Sequence, residues 1–118
     1  MSKVYNLSIK AGETFTLGVT WNETTEELLT GASAQMDFRE DYGQPVLASI
    51  SSVDEEIVIV PADLGINVYM PAAKTLLISG DDVQEGVYDL KVVLSNGFID
   101  YPIEGRYRCR PSATLEAE

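Results

Sequence analysis

The chain has 118 residues, 45% hydrophobic and 23% charged, the proportions of a single ordinary globular domain. Nineteen acidic against eight basic residues give a net charge of −11, which lacks the basic footprint of a duplex-nucleic-acid binder and disfavours anionic membrane surfaces. Histidine is absent and cysteine occurs once, which removes the usual general base, the commonest zinc ligand and any intramolecular disulfide together.

Val4 to Ile9 alternates Tyr5, Leu7 and Ile9 against Asn6 and Ser8 and predicts a first short strand. Lys10 to Glu13 is a turn. Thr14 to Trp21 is the cleanest alternating run, with Phe15, Leu17, Val19 and Trp21 on one face and threonines and Gly18 on the other. Asn22 to Thr25 reads as a turn, and Glu26 to Gly31 carries Leu28-Leu29 before a Thr-Gly stop. Ala32 to Arg39 predicts a strand with Ala34, Met36 and Phe38 inward. After the Gly43 and Pro45 turn, Val46 to Ile50 continues antiparallel to it. Ile57 to Val60 is a β-branched run of ambiguous face, and Gly65 turns the chain into Ile66 to Met70. Pro71 to Ser79 is the one expected helical turn, with proline at its first position and Gly80 as its stop.

Glu85 to Pro111 is the strongest local signal. Asn96-Gly97 predicts a type I′ turn with positive φ at both residues. Pairing Ser95 with Phe98 sets Leu94 opposite Ile99, Val92 opposite Tyr101 and Leu90 opposite Ile103. The other face then carries Val93 opposite Asp100, and Asp89 opposite Glu104 as a like-charge pair. Seven or eight short strands joined by Gly, Pro and Asn turns predict an all-β fold: an immunoglobulin-like antiparallel β-sandwich with one short helical turn. A small closed barrel is the alternative. One sandwich domain is expected over residues 1–111, with a polar, mobile C-terminal tail at 112–118.

Chemistry is sparse. The carboxylates at 23, 26 and 27, at 54 to 56, and at 81, 82 and 85 lack the spacing of a calcium loop and read as solvated turns. There is no G-x-S-x-G nucleophile elbow and no glycine-rich phosphate loop. The expectation is a protein that is not an enzyme and uses no metal and no cofactor. Cys109 shares inward parity with Ile103 and Tyr107 and reads as a small buried hydrophobe. No run reaches the roughly 20 apolar residues of a membrane span, and MSKVYNLSIKAGET lacks a signal-peptide core, so folding inside a cell is expected.

One charge pattern stands out. Arg106, Arg108 and Arg110 hold three of the eight basic residues and share outward parity on the last strand. They serve either as cross-strand partners of nearby acids or as a docking stripe for an acidic patch on another protein. Tyr42 and Tyr69, which do not fit inward parity, are further interface candidates.

In order along the chain, IKAGETFTLGVTW (9–21), LLTGASAQMDFRE (28–40), PAAKTLLISG (71–80), EGVYDLKVVLSNG (85–97) and EGRYRCRPSAT (104–114) resemble the layout of small structural proteins of tailed bacteriophages. They are also similar to the immunoglobulin-like N-terminal domain of siphophage upper-baseplate proteins. The resemblance implies a non-enzymatic virion protein of tail, neck or baseplate. Such a protein is assembled in the host cytoplasm in several copies and acts through contacts with other virion proteins. Capsid decoration and a carbohydrate-binding β-sandwich, using Tyr42, Tyr69 and Tyr107, are the alternatives.

Overall fold

Alternating apolar residues settle most of the chain into strands, and the computed structural model describes residues 3–79 and 82–111. The expected stop at Gly80, the carboxylate of Asp81 and the tail 112–118 lie outside the described residues. The elements are β1 Lys3–Val4, β2 Leu7–Lys10, β3 Phe15–Thr20, α1 Glu26–Leu29, β4 Ser33–Arg39, β5 Val46–Ser51 and β6 Ile57–Val60. A 3-10 turn at Pro61–Asp63 leads to β7 Gly65–Met70, α2 Ala72–Ile78, β8 Gln84–Val93 and β9 Ile99–Arg110.

The strands form two sheets that pack as a mostly β, sandwich-like arrangement. In the larger, β1-β9-β8-β4-β5 are neighbours in that order and β2 also lies along β9; the smaller is β3-β7-β6. Both sheets feed one core. Met36 and Phe38 from β4, Leu90 and Val92 from β8 and Ile103 and Tyr107 from β9 meet Ile66, Val68 and Met70 from β7 and Ile57 from β6. The inward residues expected on β4 and β7 are all buried. Phe38 lies 5.5 Å from Tyr107 edge to face and 6.0 Å from Tyr88 in a stack.

Several local expectations are corrected. The predicted first strand is split: Leu7 and Ile9 are buried, but Tyr5 is half exposed, and the break at Tyr5–Asn6 crosses Gly105. A Cβ at Gly105 would stand 2.5 Å from the Tyr5 carbonyl, and the Asn6 side-chain oxygen accepts from the Arg106 N–H at 3.1 Å. The side chain thus stands in for a ladder bond that the displaced backbone cannot make. β1 and β2 both run parallel to β9.

The hairpin turn is not type I′. Only Gly97 has positive φ, at 88°; Gly97 N–H donates to the Leu94 carbonyl and Leu94 N–H to the Phe98 carbonyl, both at 2.8 Å. That is a three-residue loop closed by a left-handed glycine. It shifts the pairing near the turn by one, so Val92 faces Asp100 and Val93 faces Ile99. From Leu90 opposite Ile103 down to Gln84 opposite Cys109 the expected register holds. The shift is absorbed where Tyr101 and Pro102 together oppose Lys91, as suits a proline that has no N–H for the ladder.

Two helical features also differ. Glu26–Leu29 is a short helix whose N-cap, Thr25, accepts from Leu28 N–H at 3.3 Å, with Glu26 and Glu27 in the first turn. Pro71 is the N-cap of α2 and not its first helical residue. At the turn before β7, the left-handed residue is Leu64, with φ 51°, and Gly65 already lies in the strand.

Candidate protein-interaction surface

Extended backbone along β9 alternates its side chains. Ile103, Tyr107 and Cys109 are buried, and Arg106, Arg108 and Arg110 are exposed on the outer face. Val87 lies opposite Arg106 and Glu85 opposite Arg108 on β8; on the other side Ser8 lies beside Arg108 and Lys10 beside Arg110. Although Glu85 faces Arg108 in register, none of the three guanidinium groups has an ion pair within 4.0 Å among the described residues.

The outer face is laid out in cross-strand rows. One row is Arg39, Val87 and Arg106, from β4, β8 and β9. The next is Asp37, Asp89 and Glu104, three carboxylates side by side, so the like-charge pair expected from the hairpin gains a third member. Partial burial first, then the charges of Asp37 and Glu104, push the Asp89 carboxyl above the usual range; Arg39 and Lys91 pull the other way. Arg39 also reaches Asp37 at 4.0 Å and donates to the Gln44 carbonyl.

Tyr42 lies in the β4–β5 turn, two-thirds exposed. With Arg39, Val87 and Asp89 it lines a shallow depression of about 80 Å³ on this same face. The structure therefore brings Tyr42 to the head of the arginine stripe, across Val87 from Arg106. Tyr69 is not part of this surface. It is half exposed on β7 of the smaller sheet, opposite Thr16, on the other side of the sandwich. Tyr107 is buried, so Tyr42, Tyr69 and Tyr107 do not form the exposed aromatic platform considered for a sugar.

Arg39 is the member of the surface that the sequence leaves out. Its outward parity is legible, but its place beside Val87 and Arg106 depends on β4 pairing with β8 across some fifty residues of chain.

The carboxylate groups divide. Glu26 and Glu27 serve the N-terminal turn of α1. Glu56 is buried and not solvated: it pairs with Lys74 Nζ at 2.7 Å and accepts from Ser51 N–H at 3.2 Å. Among the described residues no group of three or more His, Cys, Asp or Glu is placed to hold a metal ion, and no helix is long and apolar enough to cross a membrane. Cys109 is fully buried; burial pushes its thiol up to about 11 and its sulfur lies 3.8 Å from the Thr75 carbonyl. A groove of about 590 Å³ between residues 29–32 and β6 carries one carboxylate, Glu55, and the hydroxyls of Thr30 and Ser52. No protein-family model matches the chain, and no curated protein matches it in sequence.

Proposed function

We propose that this chain is a non-enzymatic structural protein of a tailed-bacteriophage particle, in tail, neck or baseplate, that joins other virion proteins through the outer face of its larger sheet. In this reading it is assembled in the host cytoplasm and stands in several copies set by the particle's symmetry. The observation that carries it is the row of Arg106, Arg108 and Arg110, exposed at alternate positions of one strand without an ion-pair partner among the described residues. In a protein of net charge −11 such a stripe is a local reversal of sign. Arginine's fork of donors and apolar stem suit it to an acidic, planar partner surface, and Tyr42 adds an aromatic anchor beside it. The setting is suggested by the resemblance of the motif layout to that of small tailed-phage structural proteins.

An immunoglobulin-like topology is part of the same proposal. It is supported by the strand order, in which the neighbours β9-β8-β4-β5 and β3-β7-β6 can be matched to strands G-F-C-C′ and B-E-D of that layout. The departure is at the start, where β1 and β2 lie beside β9 and not beside β3.

Reversing Arg106 and Arg108 to glutamate tests the function. The variant is expected to keep its circular dichroism and urea midpoint while failing to enter particles assembled with the tagged protein. Normal incorporation of the variant would refute the docking role, as would a loss of stability in the isolated domain. Gold label on the tagged wild type missing from purified particles would end the virion reading itself.

A further inference from the structure

The lateral edges of the two sheets are guarded unequally. On β5, Lys74 Nζ donates to the Ser49 carbonyl at 2.9 Å and Glu56 Oε1 accepts from Ser51 N–H at 3.2 Å, so side chains occupy its free edge. β1 and β2 have two and four residues and are interrupted between them. β6 has four residues and is followed by Pro61. Short strands, interruptions, prolines and lysines are the usual means of blunting an edge.

β3 has none of these. It runs six residues without a charge, a proline or a bulge, in continuous register with β7 from Phe15 opposite Met70 to Thr20 opposite Gly65. Among the described residues it pairs with β7 alone. Trp21 N–H donates to the Leu64 carbonyl at 2.8 Å, and Tyr69 N–H turns away to the Glu56 carbonyl at 2.7 Å. The alternation of an antiparallel ladder therefore sends the N–H and C=O groups of Thr16, Gly18 and Thr20 to the free edge. Gly18 sits at its centre, between two grooves. The inner one, about 270 Å³, is lined by Val4, Leu17, Val19 and Ile103 together with Lys3; the outer one, about 340 Å³, by Val58, Asn67 and Tyr69. The inner one falls below the size of a drug-sized ligand pocket and the outer one is near its lower limit, and both suit single side chains of an extended strand.

We propose that β3 receives an extended segment of a partner protein as an added strand, apolar at the alternate positions that enter the Leu17–Val19 groove and basic at its ends. Charge selects the partner. Exposed Glu13 precedes the strand, and exposed Asp63 lies at its far end. A second copy of this chain, paired antiparallel about Gly18, would join two bodies of net charge −11. The assignment goes beyond the arginine face and does not depend on it.

The test is amide hydrogen exchange followed by NMR, with the peptide Lys-Lys-Val-Thr-Val-Thr-Val-Lys-Lys at millimolar concentration and its counterpart with glutamate ends. The lysine-ended peptide is expected to slow exchange at Thr16, Gly18 and Thr20 about tenfold or more, with an effect that weakens as salt rises. Thr16→Pro removes an N–H that β7 does not use, and is expected to abolish the protection while the domain stays folded. The Arg106→Glu/Arg108→Glu variant is expected to bind the peptide like the wild type, which separates this edge from the arginine surface. No protection with either peptide, or equal protection from both, would overturn the proposal. Protection without peptide that grows with protein concentration would overturn it in favour of a second copy.

Discussion

Gly86 stands directly opposite Tyr107 on the β8–β9 ladder, and the tyrosine ring fills the space a side chain at 86 would need. A Cβ there would lie 2.7 Å from Tyr107 Cε2 and 2.1 Å from the Arg39 carbonyl oxygen on the neighbouring strand. The ring in turn packs edge to face on Phe38. Gly86 is thus a close-approach residue inside a strand. Because the carbonyl belongs to backbone held in the β4–β8 ladder, Gly86→Ala is expected to cost about 2–3 kcal/mol, read as a lowered urea midpoint at unchanged slope. A change under half a unit of that scale would show that β4 can move aside.

The Lys74–Glu56 pair ties α2 to the ends of β5 and β6, with Lys74 also bonded to the Ser49 carbonyl. Glu56 is 7% exposed, so removing its partner leaves a carboxylate short of solvent. Lys74→Met is expected to destabilise by about 2 kcal/mol, less than a fully buried pair because the lysine keeps some water. A double-mutant cycle with Glu56→Gln should return a coupling of about 1 kcal/mol or more. Additive effects would mean that the two side chains act separately.

Asp89 is held above its usual titration range by burial and by Asp37 and Glu104 on either side. A raised folded value means the native state binds this proton more tightly than the unfolded chain. Its contribution to stability is therefore present below the unfolded value near pH 4 and is lost as pH rises through the folded value. Asp89→Asn removes that loss. At pH 7 the variant is expected to be more stable than wild type by about 0.5 kcal/mol, a cross-strand like-charge term. The advantage should close as the pH falls toward 4. A variant less stable at pH 7 would show that Arg39 and Lys91 outweigh the acidic neighbours.

Cys109 gives a kinetic prediction. With the side chain fully buried and the thiol pushed up to about 11, a disulfide reagent at pH 7.5 should modify the native protein only on opening. The labelling rate is expected to rise with urea in step with unfolding. Prompt modification in native buffer would show a local opening between β9 and α2.

Much of this fold can be read from alternation. The inward sets of β4 and β7, the register from Gln84 to Leu90 against β9, and the outward parity of Arg106, Arg108 and Arg110 follow from a period of two. Alternation does not say which sheet a strand joins. Nothing in residues 3–10 distinguishes a place beside β9 from one beside β3, so neither the β3 edge left unpaired among the described residues nor Arg39's position beside Arg106 is legible. The turn at Asn96-Gly97 misleads for a different reason: the pair tolerates positive φ at both residues, but Gly97 alone adopts it, and Pro102 then absorbs the one-residue shift. α1 is missed because four residues carry too little periodicity, although the Thr25 cap followed by two glutamates marks its start.

Lys3 lies opposite Ile103, so two strands a hundred residues apart in the chain close on each other. At about 5–20 residues per second, the earlier one waits on the order of 5–20 s for its neighbour to be made. Until then β1 and β2 have no strand to join, and completion of the larger sheet waits for β9. A nascent chain stalled short of β9 would therefore present Leu7 and Ile9 to chaperones, with the N-terminal strands closing as the final step of folding.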